Sequence, residues 1–246
     1  MWSSAILYAG WETRERGGSI QHYMPEKEIV KLELLEIQQG AGENGVEEVR
    51  LRTNDGVIPC HFHKSHNGDA AVLFVAGSTP EEPAGGLYER LAVQLAPNNI
   101  ASLRLNYRKP GQFIDCVLDV LLGIGFLRNQ GTRRIALVGH SFGGSVVINA
   151  GVASPAVVAV AALSSQMTGA DDIAELSPKP VLLIHGTTDE VRSDIGTRQL
   201  YDLAAEPKEL LIYPDCGHDF GECREQIDRD LLEWLRRVTP AEPSAA

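Results

Sequence analysis

The 246 residues, 43% of them hydrophobic, are enough for one buried core and fit a single α/β domain. Lys and Arg number 22 against 33 Asp and Glu, a formal net charge of −11 that repels phosphate backbones and anionic headgroups and so argues against nucleic-acid and membrane partners. No apolar run approaches the roughly 20 residues that cross a bilayer. Residues 1–10 lack a basic leader region, and Cys60, Cys116, Cys216 and Cys223 are few and scattered. A cytoplasmic chain with reduced thiols is therefore expected, a Cys216–Cys223 pair being the alternative.

Residues 1–45 read as an N-terminal extension. Within it, residues 28–37 (EIVKLELLEI) mix apolar and charged positions so that strand and helix templates each fit in part. Two uses stay open for this stretch: packing on the domain, or packing on a partner subunit in a homodimer. The Gly-rich residues 40–45 read as a linker. From Val46 the pattern clears into a domain spanning 46–239. Residues 46–53 and 57–63 are strand-like runs joined by Asn54-Asp55-Gly56, a hairpin turn. Residues 70–76 (AAVLFVA) form a strand-length apolar run. Then helices (87–95, 113–128, 142–151, 195–204 and 222–238) alternate with short apolar strands (100–105, 134–138, 157–163, 181–185 and 209–213). That alternation predicts an α/β fold: a mostly parallel sheet with helices on both faces and an antiparallel hairpin at one edge. The tail 240–246 (PAEPSAA) is expected to be disordered.

Gly139-His140-Ser141-Phe142-Gly143 matches G-x-S-x-G, with an apolar strand running in and a helix of small residues running out. The tight turn strains the serine, and the flanking glycines give the neighbouring chain room to pass. Ser141 is thus the candidate nucleophile. A serine hydroxyl needs a base within reach, and the base needs a partner to fix its tautomer. In the architecture this motif marks, the acid and then the histidine follow on loops after later strands. Asp189 sits in the loop after the strand at 181–185 (GTTDE), and His218 in the loop after the strand at 209–213 (PDCGHDF). Glu190 and Asp194 compete with Asp189, and His185 with His218. His185 precedes the acid and would break the order. His140, inside the turn, is read as packing beside the nucleophile. The oxyanion of acyl transfer needs two fixed N–H donors. Phe142 is the first candidate, and Gly77 or Ser78, after the strand at 70–76, is the second.

Together GHSFGG, HGTTDE and CGHDF resemble the nucleophile, acid and histidine segments of the α/β-hydrolase superfamily, over residues 46–238. The residues Leu103-Arg104-Leu105-Asn106-Tyr107-Arg108 before Pro110-Gly111 also resemble that family's strand and loop after its first helix. The style is similar to small dienelactone-hydrolase-like and acyl-peptidase-like members, although dienelactone hydrolases carry a cysteine where this chain has Ser141. Residues 164–179, the usual place of a lid, number only 16, so the resemblance implies no cap domain and small or chain-terminal acyl substrates.

The expected function is hydrolysis of small soluble esters through an acyl-serine, with no cofactor and no metal. A peptidase or thioesterase on the same residues is the alternative, and a non-catalytic binding protein on the same fold is a third. His61, His63 and His66 form H-x-H-x-x-H, which can bind a metal but more simply lines the polar face of an edge strand. Arg104, Arg108 and Lys109 could meet an anionic substrate group or form a solvated cluster.

Overall fold

The computed structural model describes residues 4–9, 15–16, 19–20, 28–42, 45–65 and 68–240. Twelve strands are described: β1 (Ser4–Ala9), β2 (Glu15–Arg16), β3 (Ser19–Ile20), β4 (Glu28–Ala41), β5 (Glu47–Thr53), β6 (Gly56–His63), β7 (Ala70–Val75), β8 (Ile100–Leu105), β9 (Arg134–His140), β10 (Val157–Leu163), β11 (Val181–Gly186) and β12 (Lys208–Tyr213). The helices are α1 (Pro83–Leu95), α2 (Phe113–Asn129), α3 (Phe142–Ala153), α4 (Asp194–Leu203) and α5 (Arg224–Val238).

Ten strands form one sheet in the order β1-β4-β5-β6-β8-β7-β9-β10-β11-β12, and β2 and β3 pair separately. From β8 to β12 the neighbours run parallel. The β1 to β6 edge is antiparallel and joins β8 through β6. The parallel strands are apolar on both faces because helices cover both. All six residues of β7 are buried. Leu73 and Val75 face the cluster built with α2 and α3, while Val72 and Phe74 face α1 and α5. There Phe74 stacks on Tyr88 at 4.8 Å, and the Tyr88 hydroxyl donates to the Val75 carbonyl, satisfying its one polar group in the core. The opening of α1 is irregular: Ala84, Gly85 and Gly86 have positive φ, and regular helix begins at Leu87, where the apolar pattern begins.

The mixed sequence of residues 28–37 resolves as strand. A register shift between Leu34 and Glu36 breaks the period-two pattern, so Leu32, Leu34 and Ile37 all reach the core while Leu35 is exposed. This strand packs on the domain, and it continues to Ala41 through part of the stretch read as a linker. The tail 241–246 and His66 lie outside the described residues.

Between β10 and β11 there is a single 3-10 turn (Asp171–Leu176) and no cap domain. No described helix is long and apolar enough to cross a membrane.

Candidate active site

The turn between β9 and α3 holds Ser141 at φ 55° and ψ −115°, a conformation that costs an L residue about 1–3 kcal/mol. The surroundings force it. The Ser141 N–H donates to the Leu163 carbonyl at 2.8 Å, and the Ser141 carbonyl accepts from Gly144 and Gln166. The flanking glycines permit it. A Cβ on Gly139 would lie 2.1 Å from the Gly143 carbonyl oxygen, and one on Gly143 would lie 2.2 Å from that of Ala76. No side chain caps α3, so its first N–H groups, Phe142 foremost, have no intrahelical partner, and its positive end meets the turn. Gly77 is buried against Ser141, a Cβ there falling 3.5 Å from that of the serine, whereas Ser78 is exposed.

The loops after β11 and β12 are laced together. Thr187 and Thr188 N–H groups donate to the Tyr213 and Cys216 carbonyls, and the Thr187 hydroxyl accepts from Asp215 N–H. This brings Asp189 to His218. His218 Nδ1 donates to Asp189 Oδ2 at 2.7 Å, leaving Nε2 free to take a proton. The Asp189 side chain is almost fully buried, 1% exposed. Burial pushes its carboxyl up, but the His218 imidazole and the N–H groups of Arg192 and Val191 outweigh it, so it stays below the usual carboxylate range.

His185 stands behind this pair. Its Nε2 lies 3.0 Å from Asp189 Oδ2 and 3.1 Å from the Arg192 carbonyl, and its Nδ1 lies 2.6 Å from the Thr197 hydroxyl. Both partners of Nε2 only accept, so Nε2 carries the proton and Thr197 donates to Nδ1. His185 therefore orients the carboxylate. Glu190 is exposed and Asp194 pairs with Arg198, so neither rival reaches the imidazole. His140 packs its ring 4.8 Å from that of His218 and donates from Nε2 to the His218 carbonyl at 2.9 Å. Burial drives its pKa down to about 4, so it is a neutral prop.

Among the described residues, the hydrogen-bond partner of the Ser141 hydroxyl is unexpected. Arg192 Nε donates to Ser141 Oγ at 3.4 Å, at the long end of the hydrogen-bond range. Among the described residues no hydrogen bond joins Ser141 to His218. Arg192 also donates to Gln166 Oε1, and Gln166 is itself anchored by the Ser145 hydroxyl and the Thr168 carbonyl. The signal for Arg192 was its place three residues after Asp189. Nothing in the local pattern distinguishes it from a solvated loop arginine.

Two expectations are corrected. Cys216 and Cys223 form a disulfide across the loop that carries His218, because that loop turns back on itself within seven residues. Only Cys60 and Cys116 are free. The thiols thus no longer support a cytoplasmic setting. Arg104, Arg108 and Lys109 are held in ion pairs and so are not free to meet a substrate, and only Lys109, 42% exposed, keeps much contact with solvent. Arg104 pairs with Glu82, Arg108 with Asp119, Asp55 and Asp115, and Lys109 with Asp55 and Asp115. Of the H-x-H-x-x-H residues, His61 and His63 lie on β6 opposite Arg104 and Ser102 of β8. Among the described residues no group of three His, Cys, Asp or Glu is placed to hold a metal.

No protein-family model matches the chain. The uncharacterized protein YfhR of Salmonella typhimurium is 26% identical over 222 residues, 70% of this chain and 74% of that protein. Among solved structures, dienelactone hydrolase from Anabaena variabilis superposes with a TM-score of 0.68 at 17% identity, over 82% of this chain and 99% of that one. Est1E from Butyrivibrio proteoclasticus gives 0.65 at 14%, over 82% and 98%. At such identities the likeness is one of fold.

Proposed function

We propose that this chain, built on the α/β-hydrolase fold, is a serine hydrolase that cleaves small esters through an acyl-serine intermediate. What supports the reading is a strained Ser141 on a strand-to-helix turn together with an Asp189–His218 pair hung from neighbouring strands of the same sheet.

Ser141 Oγ attacks the ester carbonyl while His218 Nε2 takes its proton. For this the hydroxyl must exchange the Arg192 guanidinium for the imidazole, an adjustment of the kind that substrate binding completes. Asp189 keeps Nδ1 protonated and stabilises the imidazolium, and His185 keeps Asp189 in place. The tetrahedral oxyanion takes hydrogen bonds from the N–H of Phe142 and from that of Gly77 or Ser78. The burial of Gly77 against Ser141 favours Gly77. Collapse passes the proton from His218 to the leaving alcohol. Water, deprotonated by His218, then attacks the acyl carbon, and Ser141 recovers its proton as the acid departs.

The test is active-site labelling. A fluorophosphonate probe is expected to label the wild type at Ser141 and to leave Ser141→Ala unlabelled, while Asp189→Asn loses about 10³-fold or more in kcat on 4-nitrophenyl esters. Equal labelling of Ser141→Ala and wild type overturns the assignment.

A further inference from the structure

We propose that Arg192 is the anion-recognition residue of this site, and that its substrates are esters whose acyl part carries a carboxylate. The inference rests on the serine-hydrolase reading and adds the substrate class.

The argument begins with partners. The other cations that the sequence offers for an anionic substrate group are spoken for: Arg104 by Glu82, and Arg108 and Lys109 by aspartates. Arg192 is different. Among the described residues its guanidinium meets only neutral oxygens, those of Ser141 and Gln166, and no carboxylate lies within ion-pair distance. The nearest acid in sequence, Asp189, is committed to His218, His185 and two backbone N–H groups. Asp219, beside His218, lies against the start of α1 through the bond from Ala84 N–H to its carbonyl. A half-buried guanidinium without an anion leaves its strongest interaction unmade, because planar bidentate pairing with a carboxylate is the geometry it suits.

The cation is also held in place. Ser145, on α3, donates to the Phe142 carbonyl and accepts from Gln166, and Gln166 accepts from Arg192. Its backbone is fixed at both ends of the peptide, with the N–H on Asp189 and the carbonyl on His185. Such preorganisation lowers the entropy cost of binding an anion. Position gives the rest. Nε lies 3.4 Å from Ser141 Oγ, so an anion recognised there sits close to the reacting carbonyl, and one carried on the acyl part keeps that contact through both acylation and deacylation. Among the described residues, three of the seven exposed large apolar side chains, Met167, Val191 and Ile195, lie on the segments that carry Gln166 and Arg192, which leaves apolar surface on those segments for the carbon chain between ester and carboxylate.

The experiment pairs 4-nitrophenyl monoesters of linear dicarboxylic acids, glutarate through suberate, with neutral isosteres ending in an isopropyl group. The readout is the ratio of kcat/KM, carboxylate over neutral. For wild type the best pair is expected to give a ratio of about 10 or more. Arg192→Met should bring the ratio to about 1 or below, and Arg192→Lys should keep part of it. Using a ratio removes any general loss of activity in the variants. A wild-type ratio of 1 or less at every length, or an unchanged ratio in Arg192→Met, overturns the proposal. Fluorophosphonate labelling of the same preparations separates the two readings. Labelled protein that ignores the carboxylate sinks only the anion reading, whereas no labelling and no turnover of any ester sinks both.

Discussion

At Ser141 the backbone conformation that serves chemistry works against stability. The residue is held at φ 55° by its neighbours, a value glycine adopts freely. Ser141→Ala keeps the strain and Ser141→Gly releases it. The glycine variant is therefore expected to be more stable than the alanine variant by about 1 kcal/mol, read from urea midpoints, with both inactive. This position was legible in the sequence because the motif is itself a steric statement: only residues without side chains fit two before and two after the serine. Asp189 and His218 were legible because each lies in the loop that leaves an apolar strand. Arg192 was not. A long flexible side chain reaches Ser141 from a loop 51 residues away, and no short-range pattern encodes that reach.

The loop joining β12 to α5 carries His218 between two cysteines, and their bond joins its ends. Closing so short a loop removes unfolded-state freedom worth about 2 kcal/mol. The Cys216→Ala, Cys223→Ala double variant should lose about that much in urea titrations. A thiol reductant should bring the wild type down to the same level and leave the variant unmoved. If the reductant changes neither protein, the bond does not form in solution. The sequence could not show this pairing, since spacing leaves it open and scattered thiols argue the other way. Element boundaries in the parallel half were legible almost to the residue, because strands buried on both faces are uninterrupted apolar runs. The strand Glu28–Ala41 was obscure because its bulge erases the alternation that marks a half-buried strand.

Over the whole molecule, stability should fall on mild acidification. Burial lowers the pKa of both His63 and His140 to about 4. Between about 6.5 and 4 the unfolded chain binds the protons these two exclude, so stability rises with pH across that window and is lost as pH falls through it. Asp119 acts in the opposite sense. Burial outweighs its bonds to Arg108 and raises it to about 6, so it takes up a proton in the folded state and offsets part of the loss below that pH. The net expectation between pH 8 and pH 5 is a loss on the order of 2 kcal/mol in chemical denaturation. His63→Leu, which replaces a ring whose buried Nε2 has no partner, should show a shallower fall. An unchanged slope would assign the acid sensitivity to other groups.

The short connection between β10 and β11 spends its length on one 3-10 turn and builds no roof. On the proposed chemistry, the acyl-enzyme then stands open to whatever small nucleophile the surroundings hold. Water wins by abundance, not by selection. An alcohol or amine at high concentration would divert the acyl group in simple proportion to its supply, making the same centre a transferase by circumstance.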